Sequence, residues 1–247
     1  MLRLHRLVVM GAMSLLCATP LSFIGGRVLS AEPLAHDFRV FVVDPARQKI
    51  SLHWKNAQGQ LYRTLEAVKK ELEGQGQEVL ALMNAGIYDR KFRPLGLHIE
   101  NGKELRPLDR RKGGGNFYMQ PNGVFYIDKN GAAIRRTSDF RQTPDIRLAT
   151  QSGPLLFDEK GLHPAFVKGS RHRHYRNAVG VRKDGHVVFA MSKKPVSFWQ
   201  LAHFLRDRQH CISGLYMDGF ISQLWRKGEG KPRQGYGFVG MLAVTKR

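Results

Sequence analysis

Gly214-Leu215-Tyr216-Met217-Asp218-Gly219-Phe220-Ile221-Ser222-Gln223-Leu224 is the stretch from which the rest of this sequence is interpreted. Residues 215–217 predict a short buried strand. Asp218-Gly219 predicts a sharp turn after it, because glycine accepts positive φ at no steric cost. A carboxylate at the tip of a buried strand can form the floor of a pocket. The alternative is that Asp218 only begins the turn by accepting hydrogen bonds from the amides that follow it.

The amino end has the pattern of a secretory signal peptide. Arg3 and Arg6 precede an apolar run at residues 7–24, and Val28-Leu29-Ser30-Ala31 offers small residues for cleavage. We therefore expect residues 1–31 to be a signal peptide, cleaved near Ser30-Ala31, and the mature protein to be periplasmic or secreted. The alternative is an uncleaved membrane anchor, since the apolar run approaches the length that spans a bilayer.

The chain is strongly basic, with a formal net charge of +20 over 247 residues. Residues 1–31 hold three of its arginines and no acid, so a charge of +17 remains on residues 32–247. A charge of this size favours anionic partners such as phosphate esters, acidic glycans or phospholipid head groups. Outside the leader Cys211 is the only cysteine, which excludes an intramolecular disulfide and a thiolate metal site in the mature chain.

Apolar runs and alternations predict many strands and few helices. Strand patterns occur at residues 37–43, 50–54, 79–83, 123–127, 132–136, 177–181, 186–191 and 238–244. Helical spacing runs from Leu61 to Leu72, and a second helix begins at the capping box Ser197 to Gln200. The hairpin connections predict an α+β fold, a single domain over residues 32–247 with a largely antiparallel twisted sheet and a few packed helices.

Five polar or glycine-bearing segments interrupt the apolar pattern, at residues 83–90, 111–116, 150–154, 171–177 and 218–222. His172 and His174 would share one face of an extended chain, as two metal ligands do, but no third ligand is marked and a solvated basic loop also explains them. Residues 113–115 lack the Lys-Ser/Thr ending of a nucleotide P-loop. The sequence contains no Gly-x-Ser-x-Gly, no His-Glu-x-x-His and no legible nucleic-acid module. We expect no metal, no cofactor and no nucleic-acid partner.

Taken together, these segments resemble the phosphodiester glycosidase family, and more closely its small exported bacterial branch. The resemblance covers residues 38–244. Its pieces are Asn84-Ala85-Gly86 with Pro94-Leu95-Gly96, Gly114-Gly115-Asn116-Phe117 with Pro121-Asn122-Gly123-Val124-Phe125, Gln151-Ser152-Gly153-Pro154, Arg176-Asn177, and Leu215-Tyr216-Met217-Asp218-Gly219 with Ser222. No single piece is specific, but the five in this order are. The chain departs from the family at Phe220, where the family usually has small residues.

The resemblance implies hydrolysis of a sugar-1-phosphodiester at the anomeric carbon, which releases a sugar and a phosphomonoester. Asp218 would act as base or nucleophile and Arg176 would bind the phosphate. Asp89 would be a second catalytic carboxylate, unless it simply pairs with Arg90 or Arg93. The other expected substrate-binding residues are Asn84, Gly86, Ser152, Gly153, Asn177, Gly219 and Ser222.

A second hypothesis is a non-catalytic periplasmic module that binds anionic glycans or phospholipid head groups through its basic surface, in contact with the membrane. Such a module would tolerate the loss of Asp218, because a carboxylate repels an anion. A metal-dependent phosphodiesterase that cuts at phosphorus would need clustered Asp and His ligands, and the sequence marks none.

Overall fold

The computed structural model describes residues 35–219, 221–233, 235 and 237–247. The predicted signal peptide, its cleavage near Ser30-Ala31 and the departure at Phe220 lie outside the described residues. Residues Glu32–Arg247 form one compact unit. In the described part of the chain, no helix has the length and apolar character needed to cross a membrane.

Strands dominate the described residues. In chain order they are β1 (Phe38–Val43), β2 (Gln48–His53), β3 (Val79–Asn84), β4 (His98–Glu100), β5 (Lys103–Arg106), β6 (Gly123–Asp128), β7 (Gly131–Arg136), β8 (Leu148–Ser152), β9 (Leu155–Asp158), β10 (Gly161–Leu162), β11 (Asn177–Arg182), β12 (Val187–Ser192), β13 (Cys211–Tyr216), β14 (Leu224–Arg226) and β15 (Met241–Lys246). The helices are α1 (Leu65–Gly74) and α2 (Phe198–His203), and α2 continues as one π-turn over Phe204–Arg208.

These strands form three antiparallel sheets. Sheet one has the order β1-β12-β11-β13-β9-β10, sheet two β14-β3-β15-β2, and sheet three β5-β4-β8-β6-β7. The expectation of an α+β domain is therefore wrong, and the described chain is mostly β. The physical reason is the length of the helices, since α1 has 10 residues and α2 only 6. Helices this short cover one patch of a sheet each and do not form a helical layer.

The three sheets share one core. Phe125 of sheet three, Phe189 of sheet one and Leu242 of sheet two all belong to the same buried cluster. The opposite face of sheet one packs on α2 through Val188 and Ala190. Strand β12 is thus buried on both faces, which explains why its sequence is a continuous apolar run rather than an alternation. Helix α1 covers the outer face of sheet two with Leu65, Val68 and Leu72.

The helix starts follow capping rules. The Ser197 hydroxyl accepts the Gln200 amide and the Gln200 side chain accepts the Ser197 amide, so the predicted capping box is confirmed. Helix α1 begins later than the apolar spacing from Leu61 predicts. Arg63 has a φ of 61°, which is not helical, and the hydroxyl of Thr64 caps the helix by accepting the Ala67 amide.

Candidate active site

The three sheets meet at a group of polar strand ends. Asn84 is the last residue of β3 in sheet two, Ser152 the last of β8 in sheet three, and Asn177 the first of β11 in sheet one. Strands β11 and β13 are antiparallel, with Ala178 opposite Tyr216, so the start of β11 lies beside the end of β13. Residue Asp218, which follows β13, is thereby brought to the same place.

A buried pair of asparagines joins sheets one and two. The side-chain amide of Asn177 donates to the backbone oxygen of Asn84 at 2.8 Å and to its side-chain oxygen at 3.0 Å. The side-chain oxygen of Asn84 also accepts the Gln223 amide at 2.8 Å. Both asparagines are buried. Together they hold the turn after β13, and substrate binding by either asparagine stays a prediction.

The same pair positions Asp218. The backbone amide of Asp218 donates to the side-chain oxygen of Asn177 at 2.8 Å, and the backbone amide of Asn177 donates to the Asp218 carbonyl at 3.2 Å. Oδ1 of Asp218 accepts the Gly219 amide at 2.6 Å. The hydroxyl of Ser222 donates to the Asp218 carbonyl at 2.9 Å. Asp218 thus starts the turn as the simpler interpretation expects, and its half-buried carboxylate is also held in one place.

The negative charge of Asp218 affects the pKa of two nearby tyrosines, Tyr88 and Tyr216. Burial raises the pKa of Tyr88, and the nearby Asp218 carboxylate raises it further. Burial also raises the pKa of Tyr216, opposed by Arg176 and reinforced by Asp218. Both tyrosines are therefore protonated hydroxyls at neutral pH. Tyr88 uses its hydroxyl to bind the Gly237 carbonyl at 2.6 Å.

Ser152 and two glycines serve the packing of this junction. The Ser152 hydroxyl is buried and donates to the Met217 carbonyl at 2.7 Å, which joins sheet three to the strand end before Asp218. A Cβ on Gly86 would lie 2.6 Å from the Gln151 carbonyl oxygen, and one on Gly153 would lie 2.6 Å from that of Phe117. Backbone fills the space that a side chain would need at either glycine, which explains the glycines in both segments.

Arg176 is a buried cation at the edge of this junction. Its side chain is 2% exposed, Nε donates to the Val196 carbonyl at 2.9 Å and Nη2 to the His172 carbonyl at 3.3 Å. The guanidinium carbon stacks 3.6 Å from the ring centre of Phe198. Burial lowers the pKa of Arg176, partly offset by the Tyr216 hydroxyl that it contacts. Among the described residues, no carboxylate lies within ion-pair distance of this guanidinium.

Arg176 lines a cavity of about 360 Å³, called the arginine cavity below. Phe198 stacks on Phe166 with ring centres 5.1 Å apart and meets Tyr216 edge-on at 4.9 Å. Trp199 and Asn116 also line the arginine cavity, and Asn116 contacts the Tyr216 hydroxyl. The cavity thus offers one cation, aromatic faces and neutral donors.

Asp89 is engaged elsewhere. Its Oδ1 accepts the backbone amides of Lys91 and Arg93, and its Oδ2 pairs with Arg93 Nη2 at 2.7 Å. Partial burial opposes ionisation, but the hydrogen bonds from Arg93 outweigh it and hold the pKa of the Asp89 carboxyl below its usual value. A general acid needs a raised pKa. The pairing with Arg93 is what the structure shows, and a catalytic Asp89 stays a prediction without support from this geometry.

The histidines of the basic loop do not form a metal site in the structure. His174 pairs with Val196 through backbone hydrogen bonds, and the His172 carbonyl accepts from Arg176. Both line the arginine cavity. Among the described residues, no group of three or more His, Cys, Asp or Glu side chains is placed to hold a metal ion.

The structure adds three residues that no sequence pattern marks as functional: Tyr216, Phe198 and Tyr88. Tyr216 lies in the apolar stretch 215–217, which predicts only a buried strand. The signal in the sequence is its hydroxyl, a polar group in an apolar strand, and in the structure this hydroxyl contacts Arg176 and Asn116. Phe198 follows Ser197, the capping serine of α2. Which neighbours its ring contacts depends on how the helix packs on the rest of the protein.

Comparison with known proteins points to one family. Residues 77–236 match the family model described as phosphodiester glycosidase, and this range contains Asn84, Ser152, Arg176, Asn177 and Asp218. A curated relative, an uncharacterized protein (YigE) from Escherichia coli, is 35% identical over 209 residues, which cover 85% of this chain and 82% of the relative.

Solved structures share the fold. The catalytic domain of zebrafish N-acetylglucosamine-1-phosphodiester alpha-N-acetylglucosaminidase, auto-inhibited by its pro-peptide, matches with a TM-score of 0.58 and 17% identity, covering 85% of this chain and 83% of that one. A hypothetical protein from Synechocystis matches with a TM-score of 0.52 and 13% identity, covering 87% of this chain and 61% of that one. At these identities the likeness concerns the fold.

Proposed function

Because the chain belongs to the phosphodiester glycosidase family, we propose that it hydrolyses a sugar-1-phosphodiester at the anomeric carbon. The products are a free sugar and a phosphomonoester. The observation that carries this proposal is Arg176, a buried guanidinium without a carboxylate partner among the described residues, which lines the arginine cavity. Arg176 also contacts the Tyr216 hydroxyl, and that hydroxyl packs against Gly219 in the turn after Asp218.

The environment of Arg176 favours an anionic ligand. Moving a charged group out of water costs several kcal/mol, and neutral carbonyls and a ring face return only part of it. A phosphodiester at the guanidinium supplies the missing negative charge and accepts charge-assisted hydrogen bonds. Because burial lowers the pKa of Arg176, an anion would also stabilise the charged form.

Asp218 supplies the negative group for the sugar. Attack at an anomeric carbon passes through an oxocarbenium-like state, which a carboxylate stabilises, either as nucleophile or as the base for water. The backbone bonds to Asn177 and Ser222 hold the Asp218 main chain, and the Gly219 amide holds Oδ1. Such fixed geometry is what preorganised catalysis needs.

The leaving group explains why one catalytic carboxylate suffices. A phosphate monoester leaves readily without full protonation, so charge stabilisation at phosphate matters more than a strong general acid. Arg176 provides that charge, and the Tyr216 hydroxyl that contacts it is a neutral donor at its side. The proposed reaction therefore does not require Asp89, which is paired with Arg93.

We place the reaction in the cell envelope, as a periplasmic or secreted activity. The support is the leader pattern of residues 1–31 and the charge of +17 on the remainder, which favours anionic substrates there. An anionic phosphodiester-linked sugar or glycan is the substrate class in this proposal.

The test is hydrolysis by the purified protein of methyl phosphodiesters of several sugar 1-phosphates, followed as release of reducing sugar. We expect turnover with at least one sugar, and a loss of about 10³-fold in kcat for Asp218→Asn at unchanged folding, in the range that removal of a catalytic group produces. Saturable binding without turnover of any of these compounds would instead support the non-catalytic glycan-binding module.

A further inference from the structure

A second cavity, of about 600 Å³, opens beside the Asp218 turn and is called the basic cavity below. Ser222 lines it, and the hydroxyl of this serine binds the Asp218 carbonyl. Tyr175 lines the basic cavity while the next residue, Arg176, lines the arginine cavity. The two cavities therefore flank the same segment of chain.

The basic cavity carries an excess of positive charge. Its only acid among the described lining residues is Glu229, which is already paired with Arg39 and with Arg226. Three further cations line it: Lys193, Lys231 and Arg233. None of these three makes an ion pair with another described residue, so their charge is available to an anion that enters.

The walls of this cavity are also suited to a carbon skeleton. The Tyr175 side chain is 52% exposed, which is unusual for a large aromatic group on this protein. Trp225 is fixed by a hydrogen bond from Nε1 to the Gly230 carbonyl at 2.6 Å. Aromatic faces pack well against the C–H face of a sugar or a glycerol chain. The volume lies within the range of small-ligand sites.

We propose that the basic cavity binds a second anionic group, a phosphate or a carboxylate, carried by the same substrate. This inference rests on the proposed function, since the reacting phosphodiester occupies the arginine cavity. It narrows the substrate class to phosphodiester-linked glycans that bear at least two negative groups, joined by a sugar-sized or glycerol-sized spacer. Lys231 and Arg233 are the specificity-determining cations.

Tryptophan fluorescence can report on the basic cavity by itself. Trp225 lines the basic cavity and Trp199 lines the arginine cavity. In Trp199→Phe protein, Trp225 is therefore the one tryptophan of this pair that remains as a reporter. We expect glycerol 3-phosphate and glycerate each to produce a saturable change in this protein. Neutral glycerol should produce none, because it offers the spacer without the charge.

Matched charge variants separate a defined site from a diffuse field. Lys231→Gln/Arg233→Gln should weaken binding of both anions at least ~10-fold, about what the loss of charge-assisted hydrogen bonds gives. Lys103→Gln/Lys183→Gln removes the same charge from exposed positions that line neither cavity, and should change binding less than about 2-fold. Equal weakening by the two pairs, or no saturable signal, would overturn the proposal.

The binding readout requires no turnover, which keeps this test apart from that of the proposed function. Asp218→Asn protein should still bind glycerol 3-phosphate, at least as tightly as wild type, because the substitution removes a carboxylate that repels the anion. If the protein binds anions at the basic cavity but hydrolyses no sugar phosphodiester, the proposed reaction is refuted and the proposed anion site stands. Hydrolysis that is indifferent to Lys231→Gln/Arg233→Gln, for doubly and singly anionic substrates alike, would refute the site and leave the reaction.

Discussion

The hydroxyl of Tyr216 fills the space in which a side chain at Gly219 would begin. A Cβ built on Gly219 would lie 2.0 Å from that oxygen and 3.1 Å from the carbonyl oxygen of Tyr175. Because the same hydroxyl contacts Arg176 and Asn116, the turn after Asp218 and the arginine cavity are packed against one another. A substitution in the turn should therefore also alter the arginine cavity.

Gly219→Ala should therefore destabilise the protein and reduce activity together. Forcing a methyl group into this space requires the phenol or the turn to move, at a cost of about 1–3 kcal/mol for overpacking. Tyr216→Phe removes the clashing oxygen, although the ring carbon Cζ remains 3.1 Å away. Urea unfolding of both single variants and of the double variant should show that the double change costs less than the sum. Additive costs would mean that the two residues do not press on each other.

Asn177→Ala should be among the more costly polar substitutions in this chain. It leaves the Asp218 amide and the Asn84 carbonyl without their buried partner, at about 1–3 kcal/mol each. Asn130→Ala, in the exposed turn between β6 and β7, is the control and should stay within about 0.5 kcal/mol of wild type. Chemical denaturation measures both. Similar midpoints for the two variants would show that the asparagine pair does not join the sheets energetically.

Oxygen-18 water distinguishes attack at carbon from attack at phosphorus. A carboxylate with Arg176 and neutral donors suits addition of water to the anomeric carbon, whereas attack at phosphorus usually relies on paired metals about 4 Å apart. We expect the label on the anomeric hydroxyl of the sugar and none on the phosphate, with activity that persists in a chelator. Label in the phosphate, or activity restored by zinc or manganese after chelation, would contradict the proposed reaction.

Acid should remove stability through Asp158. Burial favours the protonated form, but the paired Arg136, at 2.6 and 2.9 Å, outweighs it and keeps the pKa of Asp158 below its usual value. A depressed folded-state pKa contributes stability that is complete above the unfolded value of about 4 and is lost as pH falls through the lower folded value.

The variant Asp158→Asn should consequently show a weaker dependence of the unfolding free energy on pH between about 5 and 2, with a lower value at pH 7. Glu159→Gln, at the exposed neighbouring position, should keep the wild-type profile. A full acid dependence in Asp158→Asn would assign acid unfolding to other carboxylates.

Local chemistry made parts of this fold predictable. The capping box at Ser197 specifies a helix start through two hydrogen bonds that involve only nearby residues. The apolar run at Val187 marks a strand covered on both faces. The α+β prediction is wrong because sequence periodicity shows that a helix exists but does not show whether the helices form a layer. Nor does it show that the strands divide into three sheets, which depends on pairings between distant residues.

The sequence indicates where strands end more readily than it indicates what the residue at each strand end does. Polar residues directly after apolar strands, such as Asn84 and Asp218, mark strand ends. Whether such a residue faces a ligand or the scaffold depends on its distant partners, and Asn84 turned out to be buried against Asn177. The burial of Arg176 has the same origin, since its surroundings come from residues near 172, 196 and 198 that only the packed structure brings together.

The hydrogen bonds at the junction of the sheets span long stretches of chain. Asn177 reaches Asn84 across 93 positions, Gln223 reaches Asn84 across 139, and Ser152 reaches Met217 across 65. Closing loops of this length carries an entropic cost that is recovered only when both ends are in place. We expect these contacts to form late in folding, so that the geometry of the turn after β13 is established only when distant parts of the chain have come together.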